Sequence, residues 1–254
     1  MSNRDANKRH EKKPIDLSKL SVPEAMEKFM PDRRKIITRL GKGKGDADGN
    51  VLNTTQNVRF RRFSIAWGVP MDELGYSYWF MHFVQQSIMP WDDIIICLNT
   101  YLPEARSFIH ESFVKESKAS KYLVMLDSDV IPPMGSIEKL ITYKLPLVGG
   151  WYPKKSEIES ERKPVVYDFV RIAEDGKAMW RIRNKIGEGI EEVDGAGAGF
   201  WVMNREVAEA IGPRPYDYLR CGEDLELCLK VREAGYKMYI DWNLKAEHRG
   251  VFSV

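Results

Sequence analysis

Two aspartates, Asp127 and Asp129, stand two positions apart directly after the apolar run Tyr122-Leu123-Val124-Met125-Leu126. In extended backbone, side chains at i and i+2 share a side, so both carboxylates face one site at the end of a strand. Hard oxygen ligands placed there suit Mg²⁺ or Mn²⁺. Such an ion would offset charge growing on a departing diphosphate. The plainer reading of Asp127-Ser128-Asp129 is an Asx turn before Pro132-Pro133. A second acidic pair, Glu223-Asp224, follows Gly222 and opens an amphipathic run, with Leu225, Cys228 and Leu229 on one face. Acids in a first turn are stabilised by the helix dipole. A carboxylate in that position can also serve as a general base toward a hydroxyl. His248, one of four histidines, follows the last apolar segment and offers a further metal ligand. A single histidine is otherwise more often structural.

The elements that must position these groups are legible. Phe63–Val69 reads as a strand that breaks at Pro70. A helix is expected over 73–88, where Trp79, Phe80, Phe83 and Val84 form one face. Asp93–Leu98 is an apolar strand buried on both sides, Pro103–Glu116 a helix, and Tyr122–Leu126 another buried strand. This alternation predicts a parallel sheet with covering helices. Ligands bind at the carboxyl ends of such strands, here at Pro70, Asn99 and Asp127. Farther on, Gly195, Gly197 and Gly199 lead into Phe200–Asn204. Glycines there let backbone approach a ligand, or pack tightly. Gly235 can end the Glu223 helix in the left-handed conformation, and Tyr236–Asp241 reads as a strand.

Composition narrows the classes. The 254 residues, 43% hydrophobic and 30% charged, suffice for one sizeable core. No run approaches the roughly 18 apolar residues of a membrane span, and the basic start lacks the apolar stretch of a secretory signal. With three cysteines and no CxxC pair, neither a disulfide framework nor a zinc site is indicated; a cytoplasmic setting is the expectation. Charge is uneven: residues 1–62 carry 16 Lys and Arg against 8 Asp and Glu. Residues 1–57 are therefore read as a basic, loosely ordered extension, and 58–254 as the folded domain. The arm is either a solvated tail or a contact for nucleic acid, anionic lipid or a partner.

Taken in order, these segments resemble the GT-A glycosyltransferases, family 2-like and of the compact bacterial and bacteriophage type. The matching pieces are Val69-Pro70, Pro103–Ser107, Tyr122–Asp129, Val148–Tyr152, Gly197–Phe200, Gly222-Glu223-Asp224 and Glu247-His248. They cover about residues 60–250. The resemblance implies an α/β fold, Rossmann-like, with a mostly parallel sheet and helices on both faces. It implies a nucleotide-sugar donor, UDP favoured, and Mn²⁺ or Mg²⁺ held by Asp127, Asp129 and His248. Val69, Pro70, Asp72, Arg106, Asp127, Ser128 and Asp129 would bind the donor. Trp151, Tyr152, Gly197, Gly199 and Trp201 would line the sugar and acceptor pocket. Asp224, with Glu223 beside it, would be the base of an inverting transfer to an acceptor hydroxyl on a glycan, small molecule or modified DNA. Val69-Pro70-Met71-Asp72 departs from the usual first-strand ending, which leaves base recognition open; retention of configuration also remains open. Rival readings are a phage-type enzyme acting on hydroxymethylated bases, a nucleotidyltransferase, whose glycine-rich first loop is missing here, and a non-catalytic nucleic-acid-binding protein.

Overall fold

The computed structural model describes residues 35–39, 64–71, 92–155 and 163–249, together with Trp79, His82, Phe83, Gln86 and Ile88. Most of the basic extension, Asp72 and most of the 73–88 helix lie outside the described residues; Trp79, His82 and Phe83 are helical.

The strands are β1 (Lys35–Arg39), β2 (Ile65–Met71), β3 (Asp93–Leu98), β4 (Tyr122–Leu126), β5 (Val130–Ile131), β6 (Leu147–Trp151) and β7 (Val166–Ile172). They continue with β8 (Ala178–Ile182), β9 (Ile190–Val193), β10 (Gly195–Ala196), β11 (Phe200–Asn204), β12 (Met238–Lys245) and β13 (Glu247–His248). The helices are α1 (Leu102–Lys115), α2 (Ser136–Thr142), α3 (Arg205–Ala210) and α4 (Glu223–Glu233).

Eight strands form the central sheet in the order β1-β3-β2-β4-β11-β6-β12-β9. β3, β2, β4, β6 and β12 run one way, while β1, β11 and β9 run against them. The expected α/β architecture, a sheet with most strands in one sense and helices on both faces, is the one observed. β1 falls inside the stretch read as a loose arm, yet it pairs antiparallel along β3 from Lys35↔Cys97 to Arg39↔Asp93.

Alternation along the strands separates two cores. Ala66, Ile95, Leu123, Met125 and Met203 pack beneath Ile109 and Phe113 of α1, Val207 of α3 and Val231 of α4. Ile65, Trp67, Val124, Leu126 and Val202 turn the other way, onto Ile137 and Leu140 of α2 and onto Trp79 and Phe83. Trp79 and Phe83 stack with centroids 4.9 Å apart.

Pro70 does not end its strand. β2 runs on to Met71, pairing with β3 at Pro70↔Cys97 and Met71↔Leu98. Its pairing with β4 stops earlier, at Gly68↔Met125. Proline therefore occupies a stretch with a neighbour on one side only, where a missing N–H is tolerated. The consequence is functional: β2 and β3 both project past β4, and their ends make the wall of a cleft beside Asp127. No helix among the described residues is long and apolar enough to cross a membrane.

Candidate active site

At the carboxyl ends of β2, β3 and β4 lies a cavity of about 360 Å³, lined by Pro70, Met71, Thr100, Tyr101, Leu102, Asp127, Ser128 and Asp129. This is where an open α/β sheet is expected to bind ligands. Pro70, Asp127, Ser128 and Asp129, all read from the sequence as donor-binding, meet there. Val69 does not: it is fully buried in the α2-side core.

Beneath the cavity sits Arg106, in the second turn of α1 and 2% exposed. Its Nη2 donates to Asp127 Oδ2 at 2.7 Å, and its Nη1 donates to Glu223 Oε1 at 3.1 Å and to Asp224. The guanidinium is committed to three carboxylates and does not line the cavity, so it lies under the cavity rather than facing it. Burial opposes its charge, but Asp127 and Asp224 outweigh that and hold the guanidinium firmly protonated.

The carboxylates feel the same burial from the opposite side. Asp224 keeps 27% of its side-chain surface, yet burial raises it from 3.8 to about 6; Arg106 opposes the rise, and Glu223 and Asp127 add to it. Asp127 is also raised, again mainly by burial, with Arg106 opposing and Asp129 adding. Helix α4 begins on Gly222, and Glu223, Asp224 and Glu226 all stand in its first turn. The sequence pair thus reaches Arg106 from α4, which packs on the same face of the sheet as α1.

Residues after β12 close the site. β13 pairs with β5, His248 opposite Val130, and the Arg249 N–H donates to the Asp129 carbonyl at 2.9 Å. His248 Nδ1 donates to the Pro153 carbonyl at 2.8 Å. In the neutral ring this leaves Nε2 as an acceptor, 3.8 Å from Asp129 Oδ1. Two acceptors facing each other want a proton or a cation between them. A histidine fixed through its other nitrogen is also the usual posture of a metal ligand. Asp127 Oδ1 is buried without a hydrogen-bond partner, another atom suited to a cation. The trio is not a finished cage, however. Among the described residues no set of three or more His, Cys, Asp or Glu converges on one ion position. Asp127 Oδ2 is turned to Arg106, and Asp129 Oδ2 is paired with Lys155. The donor set fits a divalent ion through Asp129 and His248, with Asp127 at its edge.

Of the residues read as a sugar pocket, two are core. Trp151 is 5% exposed, donates to the Trp242 carbonyl at 2.9 Å and packs on the Trp242 ring. Trp201 is 3% exposed and lies opposite Gly149 in the β11–β6 register, where a Cβ would stand 3.1 Å from its own Cβ. Both indoles fill the α1/α4-side core, so they line no pocket. Tyr152 is buried too, but beside the site. Its hydroxyl accepts from the Gly199 N–H at 2.9 Å, and its ring meets His248 edge-on at 4.9 Å. Burial, then Asp224 and Asp127, keep this phenol well above its usual range. The glycines act by close approach: a Cβ on Gly199 would lie 2.8 Å from Asp127 Oδ2, and one on Gly197 would lie 2.3 Å from the Tyr152 hydroxyl.

Sequence reading missed Lys155, Tyr101, Tyr218 and Tyr216. The last is a fully buried ring under Arg106 with an unpartnered hydroxyl. None belongs to a spaced motif; only the fold collects them.

No protein-family model matches the chain, and no curated protein matches it. Solved structures do. A197 from STIV aligns with a TM-score of 0.54 at 22% identity, over 74% of this chain and 86% of that one. A crystal structure of GalNAc-T7 with UDP, GalNAc and Mn²⁺ aligns with a TM-score of 0.48 at 12% identity, over 73% of this chain and 44% of that one. At these identities the likeness is one of fold alone.

Proposed function

We propose that the chain is a glycosyltransferase that moves a sugar from a nucleotide-diphosphate sugar, a UDP-sugar by preference, to an acceptor hydroxyl with inversion. The observation that carries this is the meeting of Asp127, Glu223 and Asp224 on one buried arginine, at the wall of a cavity formed by the carboxyl ends of β2, β3 and β4.

The cavity wall of Pro70, Met71, Thr100 and Tyr101 takes the nucleoside. A divalent ion bound by Asp129 and His248, with Asp127 at its edge, would supply positive charge against the leaving diphosphate. Asp224 accepts the acceptor's hydroxyl proton as that oxygen bonds to the anomeric carbon. The bond from that carbon to the diphosphate oxygen breaks, and the nucleoside diphosphate departs with the electron pair. A carboxylate raised to about 6 is ionised at neutral pH yet basic enough to take a proton, the useful range for a general base. Arg106 keeps Asp224 and Asp127 in place and prevents their mutual repulsion from splaying the site.

A panel of nucleotide sugars with Mn²⁺, scored by thermal shift and by donor hydrolysis, tests this. At least one donor is expected to stabilise the chain in a Mn²⁺-dependent way, and Asp129→Ala should abolish that stabilisation. If no nucleotide sugar binds with or without Mn²⁺, the reading fails.

A further inference from the structure

At the mouth of the cavity two exposed aromatic rings lie together. Tyr101, the residue before α1, is 55% exposed, and Tyr218, in the loop before α4, is 57% exposed. Their rings are stacked, with centroids 6.3 Å apart and planes 19° from parallel. Leu219, 69% exposed, lies next in the same loop. Large apolar groups gathered in solvent beside a cavity mark a binding surface more than a packing remnant. This pair also touches both halves of the site. Tyr101 lines the donor cavity with Asp127 and Asp129. The Tyr218 hydroxyl bonds to Glu223, which holds the phenol above its usual range, and Glu223 shares the Arg106 Nη1 with Asp224.

Among the described residues, the surrounding charge says what can lie there. The two arginines of the Tyr218 loop are already committed: Arg214 pairs with Glu104 and Asp217, and Arg220 with Glu226 and Glu233. Asp127 and Asp129 line the cavity beside Tyr101, and Glu223 is bonded to the Tyr218 hydroxyl. A phosphate-bearing ligand would meet carboxylates and spent cations, whereas a neutral one would not. The face of an aromatic ring is electronegative, and it attracts the weakly positive C–H face of a pyranose.

We propose that Tyr101 and Tyr218 form the acceptor platform, and that its occupant is a neutral pyranoside. One sugar ring lies on the tyrosines and turns a hydroxyl toward Asp224. This rests on the glycosyl-transfer reading above, and it favours a glycan over modified DNA as the acceptor.

The test uses the full chain, with Tyr101→Ala, Tyr218→Ala and Tyr218→Phe. The probes are neutral tetrasaccharides of glucose, N-acetylglucosamine, mannose and galactose, then ten-residue oligothymidylate, then UDP with Mn²⁺. Binding is read by saturation-transfer NMR, with melting temperature as the check on folding; both rings are exposed, so the variants should melt with the parent. Expected is saturable binding of at least one tetrasaccharide, weakened about tenfold by either alanine, the loss of about 1.4 kcal/mol. Tyr218→Phe should retain it within about twofold, because the ring remains, and UDP affinity should not change in Tyr218→Ala, whose ring lies outside the cavity wall. The proposal is overturned if no tetrasaccharide binds, or if the alanine variants bind it as well as the parent does. It is overturned equally if oligothymidylate takes the platform, or if Tyr218→Ala loses UDP, which would make that ring a seat for the donor base. Failure of the transferase reading looks different: saccharide binding that depends on the tyrosines, with no nucleotide sugar bound by the parent.

Discussion

Two charged hollows stand among the described residues, and the larger is the less informative. One, of about 530 Å³, is lined by Asp168, Arg181, Arg183, Lys185 and Glu191 beside the β7–β8 hairpin. Its charges are settled among themselves. Arg183 binds Asp168 at 2.7 Å and Glu191 at 2.7 Å, and Arg181 adds to Asp168 from a side chain 74% exposed. Burial works against the Asp168 carboxylate, but the two arginines outweigh it and hold the group below its usual value. The hollow beside Asp127 is smaller and unsettled. Three carboxylates share one guanidinium, Asp127 Oδ1 and Arg106 Nε are buried without partners, and Asp224 is driven up to about 6. Structural ion pairs relax a site to rest, whereas functional groups are kept out of balance. Under the proposed function, size alone selects the wrong hollow.

Removing the central cation of each hollow should separate them most. Arg106→Met leaves Asp127, Glu223 and Asp224 uncompensated at low exposure, and a loss of about 3–5 kcal/mol is expected by denaturant unfolding at neutral pH. The deficit should shrink in acid, as those carboxyls protonate. A loss under about 1 kcal/mol would make the cluster no different from a surface pair.

Next in size is Asp224→Asn. The folded-state value of about 6 lies above the ordinary 3.8, so the folded chain holds this proton more tightly than the unfolded chain does. Ionisation therefore costs stability progressively from about pH 4 to about pH 6, and the cost stands in full above that. Two units correspond to at most about 3 kcal/mol. Asp224→Asn should raise the melting temperature at about pH 7.5, with the gain fading toward about pH 4. Transfer should fall by about 10²–10⁴ while donor binding persists. In the parent, transfer should decline as pH drops through about 6. A variant that loses donor affinity instead would remove Asp224 from the base role.

The smallest effect is expected in the other hollow. Arg181→Ala, at an exposed pair, should change stability by no more than about 0.5 kcal/mol and leave any donor shift untouched. A larger change would mean that the β7–β8 hollow is under tension of its own.

Much of this was legible in the chain. Asp127, Asp129, Glu223 and Asp224 were found because each pair abuts an apolar run whose end must be a strand terminus or a first helical turn. β3 and β4 were bounded to the residue, since unbroken apolar runs have one period to satisfy. Pro70 reads locally as a break; which side of β2 lacks a neighbour is a property of strand order, absent from local sequence. Trp151 and Trp201 misled because an aromatic beside glycines suits a sugar and a crowded sheet equally well. The Gly149–Trp201 register that decides between them joins segments remote in sequence. Tyr101 and Tyr218 lie in loops without period and meet only when α1 and α4 converge.

The ladder between β13 and β5 has a kinetic corollary. It is two residues long and belongs to neither larger sheet, while Asp127 follows a strand hydrogen-bonded on both flanks. Short, peripheral ladders open far more often than central ones. His248 and Asp127 therefore belong to parts of the molecule with different lifetimes. Amide exchange at His248 and Arg249 should run ahead of that in β4. Such a strap would let go and re-engage while Asp127 stays fixed, so under the proposed function one face of the ion seat would be renewed repeatedly within a single folded lifetime.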